Sequence, residues 1–442
     1  MRPLHTGSYA AFGSASLGKV AAEMLIQLYL FDFYVRLLGL PPLMAGFAFG
    51  VAIIWDAVSD VIIARLLFAL RKRGVQYTSL IGWGTMLLAA SIFLLFQVGT
   101  GGSQWQLFIQ MTLLYVLVNT GMTLIDLPQS SLSAELSHLA DERNRLLGAR
   151  LILGILGLIL GSALPGILLV GDGNETSEVI QSRMDSALIV AVAVIITGLI
   201  TTFCLRRRDK ESQQAKEVRI PSLQEVWGLR RNQAFMNIIY ASVVAAVGRT
   251  VNAAMALMYY RLVLNISEKK VTQIILPVFT VSIIVSIPFW ITLSRNFGKS
   301  RPAWIAVLSL GVMGFVMYPV LPENQILPVL CVSVIGGLLS GSVFLVDSII
   351  TDIIDKDEVN TGSRKEALFF AVCKSVVKMS RAIAFIVIGA ILGIMDIDIS
   401  KSNVSQETEW SIIALFGIFV GLCFMGSGYF LKKINIQQHV MK

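Results

Sequence analysis

Two carboxylates, Asp56 and Asp60, lie four residues apart within an apolar stretch that runs from Leu43 to Leu70. On an α-helix this spacing places both side chains on one face, one turn apart. The stretch is long enough to cross a lipid bilayer. A charge at membrane depth costs roughly 2.5–3.5 kcal/mol on insertion scales, so such residues usually mark the path of an ion or a substrate. The pair therefore indicates a membrane transporter.

Three further residues extend this polar face. Asp126 follows Thr123 by three positions in another apolar stretch, so a hydroxyl and a carboxylate share one side of a helix. Ser59 adds a hydroxyl beside Asp60. Sodium, like other hard cations, prefers oxygen ligands. The alternative is that these acids only pair with buried bases, and we favour a cation site because acids inside membranes are functional by default.

Composition restricts the class of protein. Hydrophobic residues make up 55% of the 442 residues, charged residues only 14%, and the mean hydropathy is +0.74. A soluble domain needs more charge to cover its surface, so we predict a polytopic membrane protein. The four cysteines and three histidines show no ligand spacing, and we expect no cofactor beyond a coupling ion. We attribute the net charge of +8 to cytoplasmic loops rather than to nucleic-acid binding.

Twelve stretches are long and apolar enough to span a membrane. They lie near 17–40, 43–70, 78–98, 105–136, 147–171, 186–206, 233–263, 271–294, 302–321, 325–354, 366–395 and 410–431. The one long polar segment follows the sixth stretch. We therefore predict an all-α protein with an N-terminal six-helix half at 1–206, a cytoplasmic linker at 207–232 and a C-terminal six-helix half at 233–442.

Lysine and arginine are concentrated in alternate connections. The poor set contains only Arg183, Lys269, Lys270 and Lys401, whereas the rich set includes the linker and the Lys432–Lys433 tail. Because positive residues remain on the cytoplasmic side, we predict cytoplasmic termini and a multi-pass protein of the plasma, or bacterial inner, membrane. Polar turns at 71–74 and 296–301 occupy equivalent places in the two halves, as expected for the major facilitator architecture of two six-helix repeats.

Three motifs resemble the glycoside–pentoside–hexuronide cation symporters of the major facilitator superfamily, the family of melibiose permease-like proteins. Residues 55–60 are similar to the second helix of that family, residues 123–136 and 141–150 to its fourth helix and the loop after it, and residues 352–366 to the loop before its eleventh helix. Lys378 stands at the family's lysine position. The resemblance covers the whole chain. It implies a sodium- or proton-coupled transporter that moves a small organic solute, above all a glycoside, by alternating access. We also expect a monomer.

The resemblance also implies residue roles. It implies a cation site of Asp56, Ser59, Asp60 and Thr123, in which Asp56 and Asp60 would hold the metal if sodium is the coupling ion. It implies substrate binding or coupling by Lys19, Asp126, Ser130, Arg150 and Lys378. We expect a cytoplasmic gate of Arg143, Asp352, Asp355, Glu358 and Arg364, formed by ion pairs between the halves or by solvated charges.

Some of these bases have alternative partners. Lys378 could neutralise the three acids when no cation is bound, or could form a purely structural salt bridge. Lys19 could likewise pair with Glu23, four residues later in the same helix. The same spacing separates Asp32 from Arg36, for which we favour such a pair within the helix.

Two positions depart from the family's sugar site. Val20 stands where the family has a sugar-binding acid, and Ser130 stands where it has an aromatic platform. Ser59 replaces an asparagine of the cation motif, but a hydroxyl can still ligate sodium. The cation site therefore matches the family better than the sugar site. An amphiphilic or non-sugar solute, as in the related lysophospholipid carriers of animals, is the alternative substrate.

Other classes of membrane protein fit less well. A polytopic enzyme would need a nucleophile–base pair or a metal set at membrane depth, and the sequence offers neither, so we do not predict an enzyme. An ATP-driven permease would need a phosphate-binding glycine-rich loop, which is also missing. A receptor or channel is less compatible with two six-helix halves. We expect a small-molecule substrate, a coupling cation and the lipid bilayer as partners, and no nucleic acid.

Overall fold

The computed structural model describes residues 6–98, 103–136, 140–170, 176–211, 223–362, 366–394 and 406–434, which form helices and short connections. Six long helices come first: α1 (Thr6–Leu25), α2 (Pro42–Lys72), α3 (Tyr77–Phe96), α4 (Gln104–Leu136), α5 (Ala140–Ile167) and α6 (Thr176–Glu211). The first of these helices continues through π-helical turns at Ile26–Leu30 and Phe33–Leu37. Pro41 and Pro42 then begin α2, where a missing backbone N–H costs least.

Ten further helices follow in the described residues, and several of them are short or continue through irregular turns. They are α7 (Leu223–Gly228), α8 (Gln233–Met258), α9 (Glu268–Lys270), α10 (Leu276–Phe297), α11 (Ser300–Met317), α12 (Ile326–Ser340), α13 (Phe344–Thr361), α14 (Glu366–Ile394), α15 (Gln406–Ile413) and α16 (Val420–Lys432). They are extended by π-helical turns at Tyr259–Val263, Val271–Ile275 and Ala414–Phe419, and by 3-10 turns at Leu229–Arg231, Tyr318–Val320 and Gly341–Val343.

Eleven helical segments within the described residues are long and apolar enough to cross a membrane. The remaining predicted span, near 17–40, is also helical, but it is not one of the eleven. Its four charged residues, Lys19, Glu23, Asp32 and Arg36, lower its hydropathy. The prediction of an all-α polytopic membrane protein is confirmed.

The chain divides into two compact units. We call Met1–Arg219 with Gly389–Ile394 the N-terminal unit, and Ile220–Ile388 with Met395–Lys442 the C-terminal unit. The division after Arg219 falls within the linker predicted at 207–232. The predicted boundaries at 206 and 233 stay predictions.

Small residues determine how closely helices pack in the N-terminal unit, where α1 packs against α5 and α6, and α4 packs against α2 and α3. A Cβ atom on Gly157 would lie 2.2 Å from the carbonyl oxygen of Leu17. A Cβ atom on Gly161 would lie 2.2 Å from the carbonyl oxygen of Ala21. Glycines four residues apart allow membrane helices to approach this closely. The contact holds α5 against the part of α1 that carries Lys19.

Small residues also permit close packing of helices in the C-terminal unit. In that unit α16 packs against α8 and α11, and α10 packs against α12. A Cβ atom on Gly311 would lie 2.7 Å from the carbonyl oxygen of Gly421, and one on Gly421 would lie 2.8 Å from that of Gly311. Small residues on both helices therefore permit the contact between α11 and α16.

A buried ionic cluster joins four helices of the N-terminal unit. Arg71, which we predicted in a polar turn, lies in the last turn of α2 and is only 4% exposed. Its guanidinium lies 2.5 Å from Glu135 Oε2 and 2.8 Å from Asp209 Oδ1. The backbone N–H and the hydroxyl of Thr78 donate to Asp209 Oδ2 at 2.7 and 2.9 Å. We call Arg71, Glu135 and Asp209 the Arg71 cluster. Together with Thr78 it connects the ends of α2, α3, α4 and α6.

Arg183 also differs from its predicted place in a connection. Because α6 begins at Thr176, well before the predicted span at 186–206, Arg183 lies inside the helix. Its side chain is 1% exposed, and its guanidinium lies 4.2 Å from the ring centre of Tyr29. A cation over an aromatic face is a favourable contact when both are desolvated.

Candidate cation and substrate sites

The packing of α2 against α4 brings three predicted cation ligands together. Thr123 Oγ1 lies 3.3 Å from Asp56 Oδ1 and 3.1 Å from Asp60 Oδ1. Thr123 is buried, and both carboxylates are half-buried. Three oxygen-bearing side chains from two helices therefore converge at one point of the N-terminal unit.

The Thr123 hydroxyl cannot serve both carboxylates equally. A threonine hydroxyl carries a single proton, so it can donate to only one of the two carboxylates at a time. The other contact then places a hydroxyl lone pair against a carboxylate oxygen. A bound cation, or a proton on one carboxylate, would remove this repulsion. The arrangement suits a hard cation, which prefers oxygen ligands, and the two carboxylates fit sodium.

Ser59 occupies a different environment from its predicted partners. It is 1% exposed, and its hydroxyl donates to the backbone carbonyl of Asp56 at 3.1 Å. Its role as a cation ligand stays a prediction. Within the described residues, no group of three or more His, Cys, Asp or Glu side chains could hold a metal ion.

Two side chains that we did not predict fix the register of α2 and α4. Asn119 Nδ2 donates to the carbonyl oxygen of Ala52 at 2.9 Å, and Trp55 Nε1 donates to Thr120 Oγ1 at 2.9 Å. Asn119 and Thr120 precede Thr123 by four and three residues, a spacing that places all three on one side of α4. The three- and four-residue spacing from Thr123 could therefore have identified Asn119 and Thr120 from the sequence alone. These bonds hold Asp56 opposite Thr123.

A second polar network begins one turn further along α4. Asp126 Oδ2 lies 2.7 Å from Lys19 Nζ, and Asp126 Oδ1 lies 2.9 Å from Arg150 Nη2. Arg150 Nη1 also donates to Ser130 Oγ at 3.0 Å, and Lys19 Nζ lies 3.7 Å from Glu23. The structure thus brings together four of the five predicted substrate residues, from α1, α4 and α5. We call Lys19, Asp126, Ser130 and Arg150 the Asp126 network.

Lys378 lies on α14 in the C-terminal unit and is not without an interaction of its own. Asp126 is neutralised within the N-terminal unit by Lys19 and Arg150. The neutralising role of Lys378 stays a prediction. The other expected pair is present, because Arg36 donates two hydrogen bonds to the fully buried Asp32 at 2.7 and 2.8 Å.

A cavity of about 470 Å³ lies beside the Asp126 network, between α1 and α5. Lys19 and Arg150 provide its charged groups. Its remaining wall is mostly apolar and consists of Ser16, Val20, Leu147, Leu151, Gly154, Ile155 and Leu158. Val20 therefore lines a pocket together with Lys19, where the family resemblance places a substrate-binding residue.

The predicted gate residues differ more from expectation. Asp352, Asp355 and Glu358, for which the family resemblance implied a loop, belong to α13, because that helix continues to Thr361. Gly362 adopts a left-handed φ of +70°, and its N–H donates to the carbonyl of Glu358 at 2.8 Å, which is a favourable helix terminus. Asp352 pairs with Lys299 at 2.5 Å within the C-terminal unit.

The other predicted gate residues differ in their exposure to solvent. Arg143 is exposed in the first turns of α5, because that helix begins at Ala140 and includes the predicted loop at 141–150. Asp355 is exposed and Glu358 is half-buried. Arg364 lies outside the described residues. The gating roles stay predictions.

Charged residues of the C-terminal unit form a group that we did not predict. Arg249 lies on α8, Asp347 on α13, and Lys374 and Arg381 on α14. Arg249 interacts electrostatically with Asp347 and Arg381, and Asp347 also interacts with Lys374. All four residues fall within predicted spans, so the reasoning that singled out Asp56 would have identified them as well.

Comparison with known proteins identifies the family. Residues 11–438 match the family model described as MFS/sugar transport protein. The glucuronide carrier protein homolog of Escherichia coli (strain K12) is 24% identical over 386 residues, covering 86% of this chain and 82% of the relative. The sodium-dependent lysophosphatidylcholine symporter 1 of Xenopus tropicalis is 23% identical over 370 residues, covering 76% and 68%.

A solved structure shows the same fold. The nucleoside transporter NupG superposes with a TM-score of 0.71 at 14% identity, over 98% of this chain and 100% of NupG. The predicted major facilitator fold and the resemblance to glycoside and cation symporters are confirmed. The chain is a multi-span integral membrane protein that belongs to the MFS/sugar transport protein family.

Proposed function

We propose that this protein is a secondary transporter that uses sodium as its coupling ion and moves a small organic solute by alternating access. The observation that carries the proposal is the approach of one Thr123 hydroxyl to both Asp56 and Asp60. Acids at membrane depth usually mark the path of an ion, and the two carboxylates and the hydroxyl offer the oxygen ligands that sodium prefers. The relative named as a sodium-dependent symporter supports this choice of ion.

Helix α4 gives a physical basis for coupling. Thr123 borders the cation ligands, and Asp126 belongs to the network beside the cavity, one helical turn away. A cation at about 6–8 Å from Asp126 would attract that carboxylate by about 2–3 kcal/mol at an effective dielectric constant near 20. This attraction competes with Lys19 and Arg150 for Asp126. Sodium binding would therefore free a base to bind the solute.

A glycoside is the first candidate for the solute. The family model describes sugar transport, and one relative is named as a glucuronide carrier homolog. The Asp126 network supplies a carboxylate, an ammonium and a guanidinium, which can accept from and donate to sugar hydroxyls.

An amphiphilic solute is the second candidate. The cavity beside Lys19 and Arg150 has a mostly apolar wall that includes Val20, Leu147 and Leu151. Such a pocket suits a molecule with a polar end and an apolar segment. The relative named as a lysophosphatidylcholine symporter supports this alternative.

The distribution of lysine and arginine supports a plasma, or bacterial inner, membrane location with both termini in the cytoplasm. We propose that the protein acts as a monomer, has no enzymatic activity, does not bind nucleic acid, and needs no cofactor other than its coupling ion.

Uptake into proteoliposomes tests the proposal. Purified protein is reconstituted without ATP, and inward sodium or proton gradients are imposed separately. The probes are methyl β-D-glucuronide, methyl β-D-galactoside and lysophosphatidylcholine. We expect the sodium gradient to drive accumulation of at least one probe, Asp56→Asn to abolish it, and Asp185→Asn, which removes an acid from an exposed hydrogen bond on α6, to preserve it. Accumulation driven only by the proton gradient would contradict sodium coupling.

A further inference from the structure

The start of α11 and the end of α16 meet at one boundary of the membrane-spanning region. Helix α11 begins the span Ser300–Val320, and α16 ends the span Gln406–Lys432. The Ser300 hydroxyl donates to the carbonyl oxygen of Ile434 at 3.1 Å. Both helix ends belong to the C-terminal unit. Their side chains therefore share one patch of surface where the helices leave the bilayer.

Three bases lie at this junction and have no acidic partner among the described residues. Arg301, Lys432 and Lys433 are all exposed. Neither α11 nor α16 contains an acidic residue. Within the described part of the chain, no carboxylate forms a salt bridge with any of the three bases. Their positive charge is therefore available to a ligand.

Both lysine side chains bend back toward the membrane. Lys433 Nζ lies 4.3 Å from the ring centre of Tyr429, and Lys432 Nζ lies 5.4 Å from the ring centre of Trp304. Tyr429 precedes Lys433 by one helical turn, and Trp304 follows Ser300 by one turn, so both rings lie further inside the spans. Lysines at the ends of membrane helices ordinarily extend toward water. Here the ammonium groups stay at the level of the aromatic rings, which is the level of lipid headgroups.

Exposed apolar side chains continue this surface along both helices. On α11, Ile305 and Val312 are exposed and follow Arg301 by four and eleven residues, which places them on the same face. On α16, the exposed Leu422 lies two turns before the exposed Tyr429. The bases therefore stand at one end of an apolar surface. A molecule that fits it needs an acidic head and apolar chains.

The opposite ends of the same two spans are acidic. Glu323 follows the end of the first span, and Glu407 and Glu409 lie in the first turn of α15, at the start of the second. The preference for bases on the cytoplasmic side accounts for this difference in charge. It does not account for lysines that bend back onto rings within the spans. That geometry indicates a binding site in addition to a topology signal.

We infer that this junction binds the phosphate headgroup of an anionic phospholipid from the surrounding bilayer. We call Arg301, Trp304, Tyr429, Lys432 and Lys433 the headgroup site. Basic residues beside a membrane helix attract anionic lipids, and an arginine can donate two parallel hydrogen bonds to a phosphate. The site lies in the C-terminal unit, away from the cation and substrate residues of the N-terminal unit. The inference therefore does not rest on the proposed transport function.

Lipid binding by the purified full-length protein tests the inference. The protein in detergent is titrated with phosphatidylglycerol or with phosphatidylcholine of the same acyl chains. Native mass spectrometry then gives the fraction of protein that carries lipid. The two lipids share a phosphate, but only phosphatidylglycerol has a net negative charge. We expect phosphatidylglycerol to bind at least about tenfold more tightly, since each base near an anionic headgroup contributes about fivefold in affinity.

Two triple variants separate the headgroup site from the overall charge of the protein. Arg301→Gln/Lys432→Gln/Lys433→Gln should weaken phosphatidylglycerol binding at least about tenfold and leave phosphatidylcholine binding unchanged. The matched control removes the same charge from exposed bases of the N-terminal unit and should keep wild-type affinity for both lipids. It is Arg145→Gln/Arg206→Gln/Lys210→Gln.

A further variant tests the aromatic rings. Trp304→Leu keeps all three bases and removes the ring that Lys432 Nζ faces. We expect phosphatidylglycerol binding to weaken by about two- to fivefold, the contribution of a cation over an exposed aromatic face. Attraction between lipid and charge alone would leave the affinity of Trp304→Leu unchanged.

Size-exclusion chromatography and thermal unfolding of each variant verify folding. If the headgroup-site triple variant does not fold, Lys433→Gln alone should weaken phosphatidylglycerol binding by about fivefold. Equal affinity of the wild type for the two lipids would overturn the inference. So would an equal loss of phosphatidylglycerol binding in the two triple variants, which would reflect overall charge. Wild-type phosphatidylglycerol binding by Trp304→Leu would overturn the site as described.

Discussion

Replacing Asp126 by Asn removes the one carboxylate that Lys19 and Arg150 share in the N-terminal unit. A hydrogen bond to a charged group contributes about 1.5–3 kcal/mol when desolvated. Here the side chain of Asp126 is 35% exposed, and the Asn amide oxygen can still accept one bond. Lys19 retains Glu23 at 3.7 Å, and Arg150 retains Ser130 at 3.0 Å. We therefore expect a modest loss of about 1–2 kcal/mol in the free energy of unfolding.

The functional effect of Asp126→Asn should exceed its structural effect. Without the shared carboxylate, the two bases no longer respond to sodium one turn away, so sodium stimulation of solute binding should fall about tenfold. Asp32→Asn is the matched control, because Asp32 is fully buried and pairs with Arg36. Removing one partner of a buried pair costs about 3–5 kcal/mol, but this pair is separate from the Asp126 network.

Two measurements on the same samples separate these effects. Thermal unfolding followed by tryptophan fluorescence gives stability, and binding of methyl β-D-glucuronide with and without sodium gives coupling. Asp126→Asn should be more stable than Asp32→Asn and less responsive to sodium. If Asp126→Asn keeps wild-type affinity and sodium stimulation, the Asp126 network is structural and our reasoning about coupling is refuted.

Three further substitutions test the packing and the cavity. Gly157→Leu should prevent folding, because even a Cβ atom there would lie 2.2 Å from the carbonyl oxygen of Leu17; a monodisperse size-exclusion peak at wild-type yield would contradict this packing. Arg71→Met should lower the free energy of unfolding by about 3–5 kcal/mol, because two buried carboxylates lose their cation, whereas the exposed Arg73→Met should change it by less than about 0.5 kcal/mol. Equal melting temperatures of these two variants would contradict the account of the Arg71 cluster. Val20→Asp should tighten binding of methyl β-D-galactoside by about 1–3 kcal/mol by adding a hydrogen-bond acceptor to the cavity, and tight binding by the wild type would show that the pocket is misplaced.

Local sequence periodicity was sufficient to predict the helices and to place the proposed cation ligands on shared helix faces. Backbone groups in lipid must be satisfied within the segment, so spans are long, apolar and easily recognised. The four-residue spacing of Asp56 and Asp60, and the three-residue spacing of Thr123 and Asp126, fixed which side chains share a face. The structure adds the contact between the two faces, because it packs α2 against α4.

Partners that lie far apart in the chain could not be read from local patterns. Arg71 looked like a loop residue because its charge fits the positive-inside rule, but its buried carboxylates come from positions 135 and 209. Asp352 likewise finds Lys299 in its own unit, a pairing that depends on how α10, α11 and α13 pack. Arg249, Asp347 and Lys374 were visible in the sequence, but their interactions depend on how three separate helices pack.

Titration of sodium into purified protein tests most directly the claim that Asp56, Asp60 and Thr123 hold the coupling cation. At a sodium concentration one hundred times its dissociation constant, binding to the folded state should stabilise the wild type by about 2.7 kcal/mol. Potassium at equal ionic strength should have no such effect. Asp56→Asn and Asp60→Asn should each lose the stabilisation while Asp185→Asn retains it. Sodium stabilisation that persists at wild-type strength in both Asp56→Asn and Asp60→Asn would contradict the account.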